Sequence, residues 1–410
     1  MTTMDSDTVD GMLANQDSKL APMPRQMKLI LQLLKKLQHG ALRLDLPDQQ
    51  SLEFGDGSRP VQLTLKNWNI AAAVVRSGDI GFAETYIAGD WSTDDLPGLI
   101  SLFVRNRATA VSMIHGSWWG KLLYRFKHLL NRNTRAGSRK NIQAHYDIGN
   151  AFYTLWLDPS MTYSSALYTN PQQTLQQAQH AKYQRILDQL ALPPNAKVLE
   201  IGCGWGGFAE LAARTTQAHV TGLTLSDEQL VYARQRLADA GLAESADLRL
   251  QDYRDMHGQF DAIASIEMFE AVGESYWPSY FDCIARNLKA GGRACIQTIV
   301  IDDALFDEYR VGTDFIQQYI FPGGMLPSPP VFRRHAEQNG LRVVDEHLFG
   351  LDYARTLATW RTRFHEVHAQ VQAQGFDERF MRTWDFYLAY CEGGFRAGSI
   401  DVAHYTLEKM

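Results

Sequence analysis

Cysteine is scarce in this chain. Four residues of 410 (Cys203, Cys283, Cys295, Cys391), with no CxxC pair and no Cys/His cluster, exclude a disulfide framework and a zinc site, and reduced thiols are expected. Long apolar runs are also missing: stretches such as Leu99 to Val104 fall far short of the roughly 18 to 20 residues that span a bilayer, so no transmembrane segment is expected. The first residues carry Asp5, Asp7 and Asp10 and lack a basic start followed by an apolar core, so no secretory signal is read and a cytoplasmic location is expected. Internal repeats are absent. With 45% apolar, 11% aromatic and 21% charged residues the chain is neither disordered nor low-complexity, and its length suits two or three domains.

Acidic residues are absent between Leu96 and Tyr146, where Arg105, Arg107, Lys121, Arg125, Lys127, Arg132, Arg135, Arg139 and Lys140 contribute +9 to a chain whose net charge is −6. A basic stretch inside an acidic protein favours an anionic surface as partner, phospholipid or nucleic acid.

Residues 1–19 read as a disordered leader, and Pro24 to Leu37 as an amphipathic helix in which Met27, Ile30, Leu31, Leu33, Leu34 and Leu37 recur at helical spacing. Short alternating runs (41–46, 51–54, 61–65) separated by turn residues predict a small sheet, and residues 70–110 look helical. These make a small α+β N-terminal domain over 20–111. Residues 112–140 set Trp118, Trp119, Leu122, Leu123, Phe126, Leu129 and Leu130 among basic residues at helical period. That describes either a helix lying in a lipid interface or an interdomain linker helix with a buried apolar face. From residue 141 to 410, strands (197–201, 219–225, 260–265, 293–299) alternate with helices, and Ser226 with Gln229 forms a capping box. The expectation is a mostly parallel, doubly wound sheet that binds ligands at its carboxyl ends.

The first such strand ends in Gly202-Cys203-Gly204-Trp205-Gly206-Gly207. Taken alone this satisfies the dinucleotide fingerprint, but the second strand ends in Leu223-Thr224-Leu225-Ser226, without the carboxylate that would hold a nicotinamide ribose. Glu200-x-Gly202-x-Gly204-x-Gly206 instead resembles the loop by which class I methyltransferases bind S-adenosylmethionine. The glycines let backbone approach the ligand and a nearby carboxylate meets its ammonium group. Asp252, followed by Tyr253, lies where such folds place an acid against the adenine amine.

A more specific resemblance covers residues 25–410. The segments 145–150 (HYDIGN), 161–164 (MTYS), 200–207 (EIGCGWGG), 222–226 (GLTLS), 251–255 (QDYRD), 268–270 (MFE), 319–323 (YIFPG) and 391–396 (CEGGFR) together resemble the cyclopropane fatty acid synthases, which include the mycolic acid cyclopropane synthases. The resemblance implies a class I methyltransferase fold: α/β, Rossmann-like, with helical insertions forming an acyl channel. It implies methyl transfer from S-adenosylmethionine to the cis double bond of a phospholipid acyl chain, then proton loss to close a three-membered ring. The implied partners are an unsaturated phospholipid and an anionic membrane surface on the cytoplasmic face, not nucleic acid, and a homodimer is admitted. Tyr163, Ser164, Glu200, Gly202, Gly204, Gly206, Thr224, Leu225, Gln229, Asp252 and Tyr253 are the implied cofactor residues. No metal is implied. An alkene needs no deprotonation before attack, so no nucleophilic triad is required, and a carbocation asks for a dry pocket lined by aromatic faces. Phe269, Tyr276, Trp277, Tyr319, Phe321 and Trp360 are candidates, each weighed against an ordinary core role.

The family's proton acceptor is a bound bicarbonate ion held by backbone amides and by Cys, Glu, His and Tyr. Here the Glu is Glu270 and the Tyr is Tyr353, while Ser165 stands in place of the Cys and Gln297 in place of the His. The N–H groups of Ser165 and Ile299 do not depend on side-chain identity. Gln carries no proton, so a methylene- or methyl-branched product stays open beside the ring, as does an inactive lipid-binding homologue. Glu267, where many members have Gly, reads either as a base sharing a helical face with Glu270 or, preferentially, as a surface or second-shell carboxylate. His145 reads as a pocket gate or a structural residue.

Overall fold

The computed structural model describes residues 23–57, 59–108 and 148–410. The expected leader, the helix at 112–140, His145 and Tyr146 lie outside them. The chain forms two compact units, one of residues 1–95 with 106–117, the other of 96–105 with 118–410.

In the first unit, helix α1 (Arg25–Leu34) precedes strands β1 (Gly40–Asp45), β2 (Ser51–Asp56) and β3 (Val61–Leu65), helix α2 (Asn69–Ile87) and strand β4 (Trp91–Ser92), with sheet order β2-β1-β3-β4. Leu42, Leu44, Leu52, Phe54, Leu63 and Leu65 alternate inward along their strands, as the period of two requires. Met27, Leu31 and Leu34 of α1 are buried within this unit, so the apolar face read from the sequence is already covered. Residues 70–110 are not continuously helical. Gly78 takes φ 58° inside α2, and Trp91 then leaves the helix for β4, its indole N–H donating to Thr85 Oγ1 at 3.0 Å.

The second unit runs α3 (Leu96–Arg105), α4 (Asn150–Trp156), α5 (Leu175–Leu190), β5 (Lys197–Ile201), α6 (Gly207–Thr216), β6 (His219–Thr224), α7 (Asp227–Asp239), β7 (Ala246–Leu250), β8 (Phe260–Ile266), α8 (Trp277–Asn287) and β9 (Leu288–Ile301). It continues with α9 (Asp303–Val311), α10 (Pro329–Gln338), β10 (Leu341–Leu348), α11 (Gly350–Glu366), α12 (His368–Ala373), α13 (Glu378–Ala397) and β11 (Ile400–Lys409). The sheet order is β10-β11-β9-β8-β5-β6-β7. The run from β9 to β7 is parallel, and β11 pairs antiparallel with both β9 and β10. This is the mostly parallel α/β sheet expected.

Successive strand residues feed opposite cores. Val198, Ala262 and Cys295 pack with Ile186, Phe208 and Ala233 from α5 to α7, while Leu199, Ile263 and Ile296 pack with Phe281, Ile284 and Phe332 from α8 and α10. Both faces of the sheet are therefore covered, as a parallel sheet requires. Two local readings are corrected, and a third is decided between its alternatives. Helix α8 ends at Asn287, so residues 288–292 already belong to β9, with a register shift opposite Phe260 and Ala262. Only half the capping box forms: Ser226 Oγ accepts from the Gln229 N–H, but the Gln229 side chain turns to Thr224. Phe269 and Trp277 are core, stacked on one another among Tyr280, Phe281 and Phe332.

Candidate active site

The glycine loop leaves β5 because its residues accept a backbone that side chains resist. Gly202, Gly204 and Gly206 all have positive φ (86°, 50° and 79°). A Cβ on Gly202 would lie 3.0 Å from Met268 Cγ, so this loop lies directly against the segment that carries Glu267 and Glu270. Gly202 and Cys203 donate their N–H groups to Leu223 O, fixing the loop to β6. Just before the loop, the Glu200 carboxyl is fully buried and its Oε2 has no partner. Burial pushes its pKa well above the usual range, and Lys182 opposes that. A buried carboxyl with a vacant oxygen at the mouth of a glycine loop fits the ammonium end of S-adenosylmethionine.

The other implied cofactor residues surround this loop unevenly. Thr224 donates to Gln229 Oε1 at 2.9 Å at the end of β6, beside half-buried Leu225. Asp252 is engaged by its neighbour: Oδ1 accepts from the Arg254 backbone N–H and Nε, and Oδ2 from the guanidinium at 2.5 Å. Tyr253 is half-buried, edge-on to Tyr280. Tyr163 sits among Tyr153, Trp156 and Trp360 and shares a 2.7 Å hydrogen bond with Tyr387, while Ser164 Oγ accepts from Lys182 Nζ at 2.6 Å. Of the aromatic candidates, Trp360 faces Tyr163 and Tyr353, and Phe321 lies against Tyr387. Tyr276 stacks on the Arg254 guanidinium, and Tyr319, packed on Phe315, is 39% exposed.

Glu270, Tyr353, Ser165, Gln297 and Ile299 come together, and their centre is Glu267. Its Oε1 accepts from the Ser165 N–H (2.8 Å) and Gln297 Nε2 (2.7 Å), and its Oε2 from the Tyr353 hydroxyl (2.6 Å). The reading of Glu267 as a surface or second-shell group on a helical face is thus corrected. It leaves β8 in the left-handed region (φ 49°), its N–H donating to Gln297 O, and the side chain swings inward. Ser165 contributes its backbone only, because its hydroxyl donates to Ala166 O. Glu270 Oε1 accepts from the Ile299 N–H, and its buried Oε2 has no partner.

Burial is the main cause that raises both glutamates. Tyr353, Lys182, Ser165 and Gln297 oppose it at Glu267, whereas the Glu267 charge adds to it at Glu270, which is pushed up to about 8. Its donors favour the charged form of Glu267, and Glu270 is the carboxyl that keeps its proton at neutral pH, the usual outcome when two carboxyls share a dry site.

Two residues here had not been singled out from the sequence. Lys182 is fully buried on α5, brought down to about 7 by burial against the opposing charges of Glu267, Asp158 and Glu200. It continues the buried stripe of Leu175, Ala178 and Ile186, and a lysine at core spacing was the available signal. His404, in register with Gln297 on the neighbouring strand, donates from Nε2 to Gln297 Oε1 (2.8 Å) and is held neutral by burial. It thereby turns the Gln297 amide so that its NH2 faces Glu267, and no local pattern announces that pairing.

Residues 133–405 match the family described as mycolic acid cyclopropane synthetase. The chain is 37% identical over 378 residues to the tuberculostearic acid methyltransferase of Mycobacterium tuberculosis, covering 90% of this chain and 88% of that one. It is 35% identical over 347 residues to the cyclopropane-fatty-acyl-phospholipid synthase of Escherichia coli, covering 85% and 87%. Among solved structures, a mycolic acid cyclopropane synthase complexed with SAH and CTAB is similar with a TM-score of 0.62 at 33% identity, covering 66% of this chain and 98% of that chain. With the parallel sheet and the Glu200 to Gly206 loop in place, the chain belongs to the mycolic acid cyclopropane synthetase family and is an S-adenosylmethionine-dependent methyltransferase.

Proposed function

We propose that this enzyme methylates the cis double bond of an unsaturated phospholipid acyl chain. The observation that carries the reading is the juxtaposition of the glycine loop, through Gly202 and Met268, with a buried carboxyl pair. An olefin needs no base to be attacked, but the cation left after methylation must lose a proton. A dry site holding one ionised carboxylate supplies that and little else. S-adenosylmethionine supplies an electrophilic methyl group, and Glu200, Thr224 and Gln229, around the close-approaching backbone of the glycine loop, are the residues to hold it. Trp156, Tyr163 and Trp360 pack on one another, and Trp360 meets Tyr353, whose hydroxyl donates to Glu267; aromatic faces so placed tolerate positive charge.

Ring closure to a cyclopropane is the outcome that the family favours. A methylene branch is the second reading, favoured by Glu267. A carboxylate already accepting three hydrogen bonds is a weaker base than an unengaged one, which gives a hydride shift time to precede proton loss. The substrate resides in a bilayer, and the basic 96–146 stretch is the part of the chain suited to an anionic membrane surface.

The test is turnover on unsaturated phospholipid vesicles, read as S-adenosylhomocysteine formed and as lipid gaining one CH2. Saturated vesicles should give neither. Proton NMR of the product separates upfield ring protons from an olefinic methylene. Absence of S-adenosylhomocysteine with unsaturated lipid would refute the reading.

A further inference from the structure

We propose that Glu267 is the proton acceptor of this enzyme, built into the chain in place of a bound bicarbonate ion, and that the site takes no external anion. The inference rests on the function proposed above and deepens it.

The argument is one of donors. The groups in which the family resemblance implies a bicarbonate are the Ser165 N–H, residue 297, Tyr353, the Ile299 N–H and Glu270. In this chain the first three donate to the two oxygens of Glu267, at 2.8, 2.7 and 2.6 Å, and the fourth donates to Glu270. Of that set only the protonated Glu270 carboxyl keeps an oxygen without a partner, so a second anion would find one donor at most, and placed beside Glu267 it would face a buried like charge. The Gln297 amide is also turned to suit a resident carboxylate, since His404 occupies its oxygen and leaves the NH2 toward Glu267. When it carries its proton, the buried Lys182 also favours the ionised form of the same carboxylate. The residues present therefore fit a carboxylate that belongs to the protein and do not fit bicarbonate.

The step balances without a co-reactant. A C–H bond of the newly added methyl group breaks, the proton passes to a Glu267 oxygen, and the electron pair closes the ring bond to the adjacent cationic carbon. If a hydride has shifted first, the same pair forms the exocyclic C=C bond instead. Glu267 then returns its proton to solvent as product leaves.

Glu267→Gly is a sound probe because residue 267 has φ 49°, which glycine adopts freely, so the backbone is not strained by the change. Glu267→Gln is its companion: it removes the charge but still fills the cradle. Product formation should fall by about 100-fold or more in both variants, the scale of a lost general base. Affinity for S-adenosylhomocysteine, measured by calorimetry, should stay within a few-fold of wild type. Wild-type turnover should be the same in buffer purged of carbon dioxide and in buffer with added bicarbonate. In Glu267→Gly, added bicarbonate or formate should restore product in a saturable way, and in Glu267→Gln neither should.

A second arm needs no turnover. Isotope-labelled bicarbonate followed by NMR line width should broaden with Glu267→Gly and not with the wild type. Broadening by the wild type, wild-type turnover that collapses on removing bicarbonate, or an undiminished Glu267→Gly rate in purged buffer would each overturn the assignment, as would failure of both anions to rescue a Glu267→Gly protein that binds cofactor normally. Should the wild type form no S-adenosylhomocysteine on any lipid, the proposed function falls, and the binding arm still decides whether the cradle is filled.

Discussion

A carboxyl buried against a second carboxyl gains little from ionising, because the site already holds one negative charge in a medium that screens it poorly. Glu270 is in that position: burial and the Glu267 charge push it up to about 8, against 4.5 for a free glutamate. The consequence for stability has a definite sign. Between pH 4.5 and about 8 the folded protein keeps a proton that the unfolded chain has released, so this residue makes stability fall as pH rises through that window. Glu270→Gln mimics the protonated form. We expect the variant's urea midpoint to gain on the wild type steadily from acid to about pH 8, where the difference levels off. A constant difference across that range would show that Glu270 ionises normally. The same physics separates what was legible at this scale from what was not. Glu270, Tyr353 and the Ile299 N–H were readable from motif order. The position of Glu267 was not, since it depends on a left-handed residue at the end of β8 that no spacing rule announces. Nor was the Ser165 hydroxyl's donation to the Ala166 carbonyl, which leaves only its backbone N–H for the site.

Elements were legible where glycine and apolar runs punctuate the chain. Strands β5, β6 and β8 are short, fully covered, and bounded by turn residues, so their limits followed from composition. The antiparallel pairing of β11 between β9 and β10 was not, because which strand returns to which edge is decided by contacts far apart in sequence. Helix α3 is the clearest case. The sequence assigned its residues to the N-terminal domain, whereas they group with the second unit, packed on α13. That packing is very close: a Cβ on Gly393 would stand 2.8 Å from Ile100 Cβ and 2.9 Å from Pro97 O. Neither atom can move without moving α3 itself, so we expect Gly393→Ala to cost about 1 to 3 kcal/mol, read as a lower urea midpoint, despite alanine's better helix propensity. Since α13 carries Tyr387, the partner of Tyr163, the variant should also lose affinity for S-adenosylhomocysteine. A midpoint at or above wild type would mean that the two helices separate without penalty.

At the scale of the whole molecule, the function proposed above requires the enzyme to reach a double bond that lies within a bilayer, and none of the described helices is long and apolar enough to cross one. The amphipathic helix α1 does not supply the contact, because Met27, Leu31 and Leu34 are spent on its own unit. Charge is the contact the sequence argues for most directly. The 96–146 segment carries nine basic residues and no acid, while the rest of the chain is acidic overall. A chain so divided should turn its basic part toward an anionic surface and be repelled elsewhere, which orients it as well as attracting it. Each basic residue near such a surface contributes about 1 kcal/mol, so reversing Lys121, Arg125 and Lys127 to Glu removes at least 3 kcal/mol, about a hundredfold in partitioning. Cosedimentation with vesicles containing anionic lipid should show that loss. Wild-type binding should fall as salt is raised, as surface electrostatics require. Affinity for S-adenosylhomocysteine should not change, since none of the three residues belongs to the glycine loop or the carboxyl pair. Equal binding of the wild type to anionic and zwitterionic vesicles, insensitive to salt, would mean that apolar contacts rather than this basic segment bring the enzyme to its substrate.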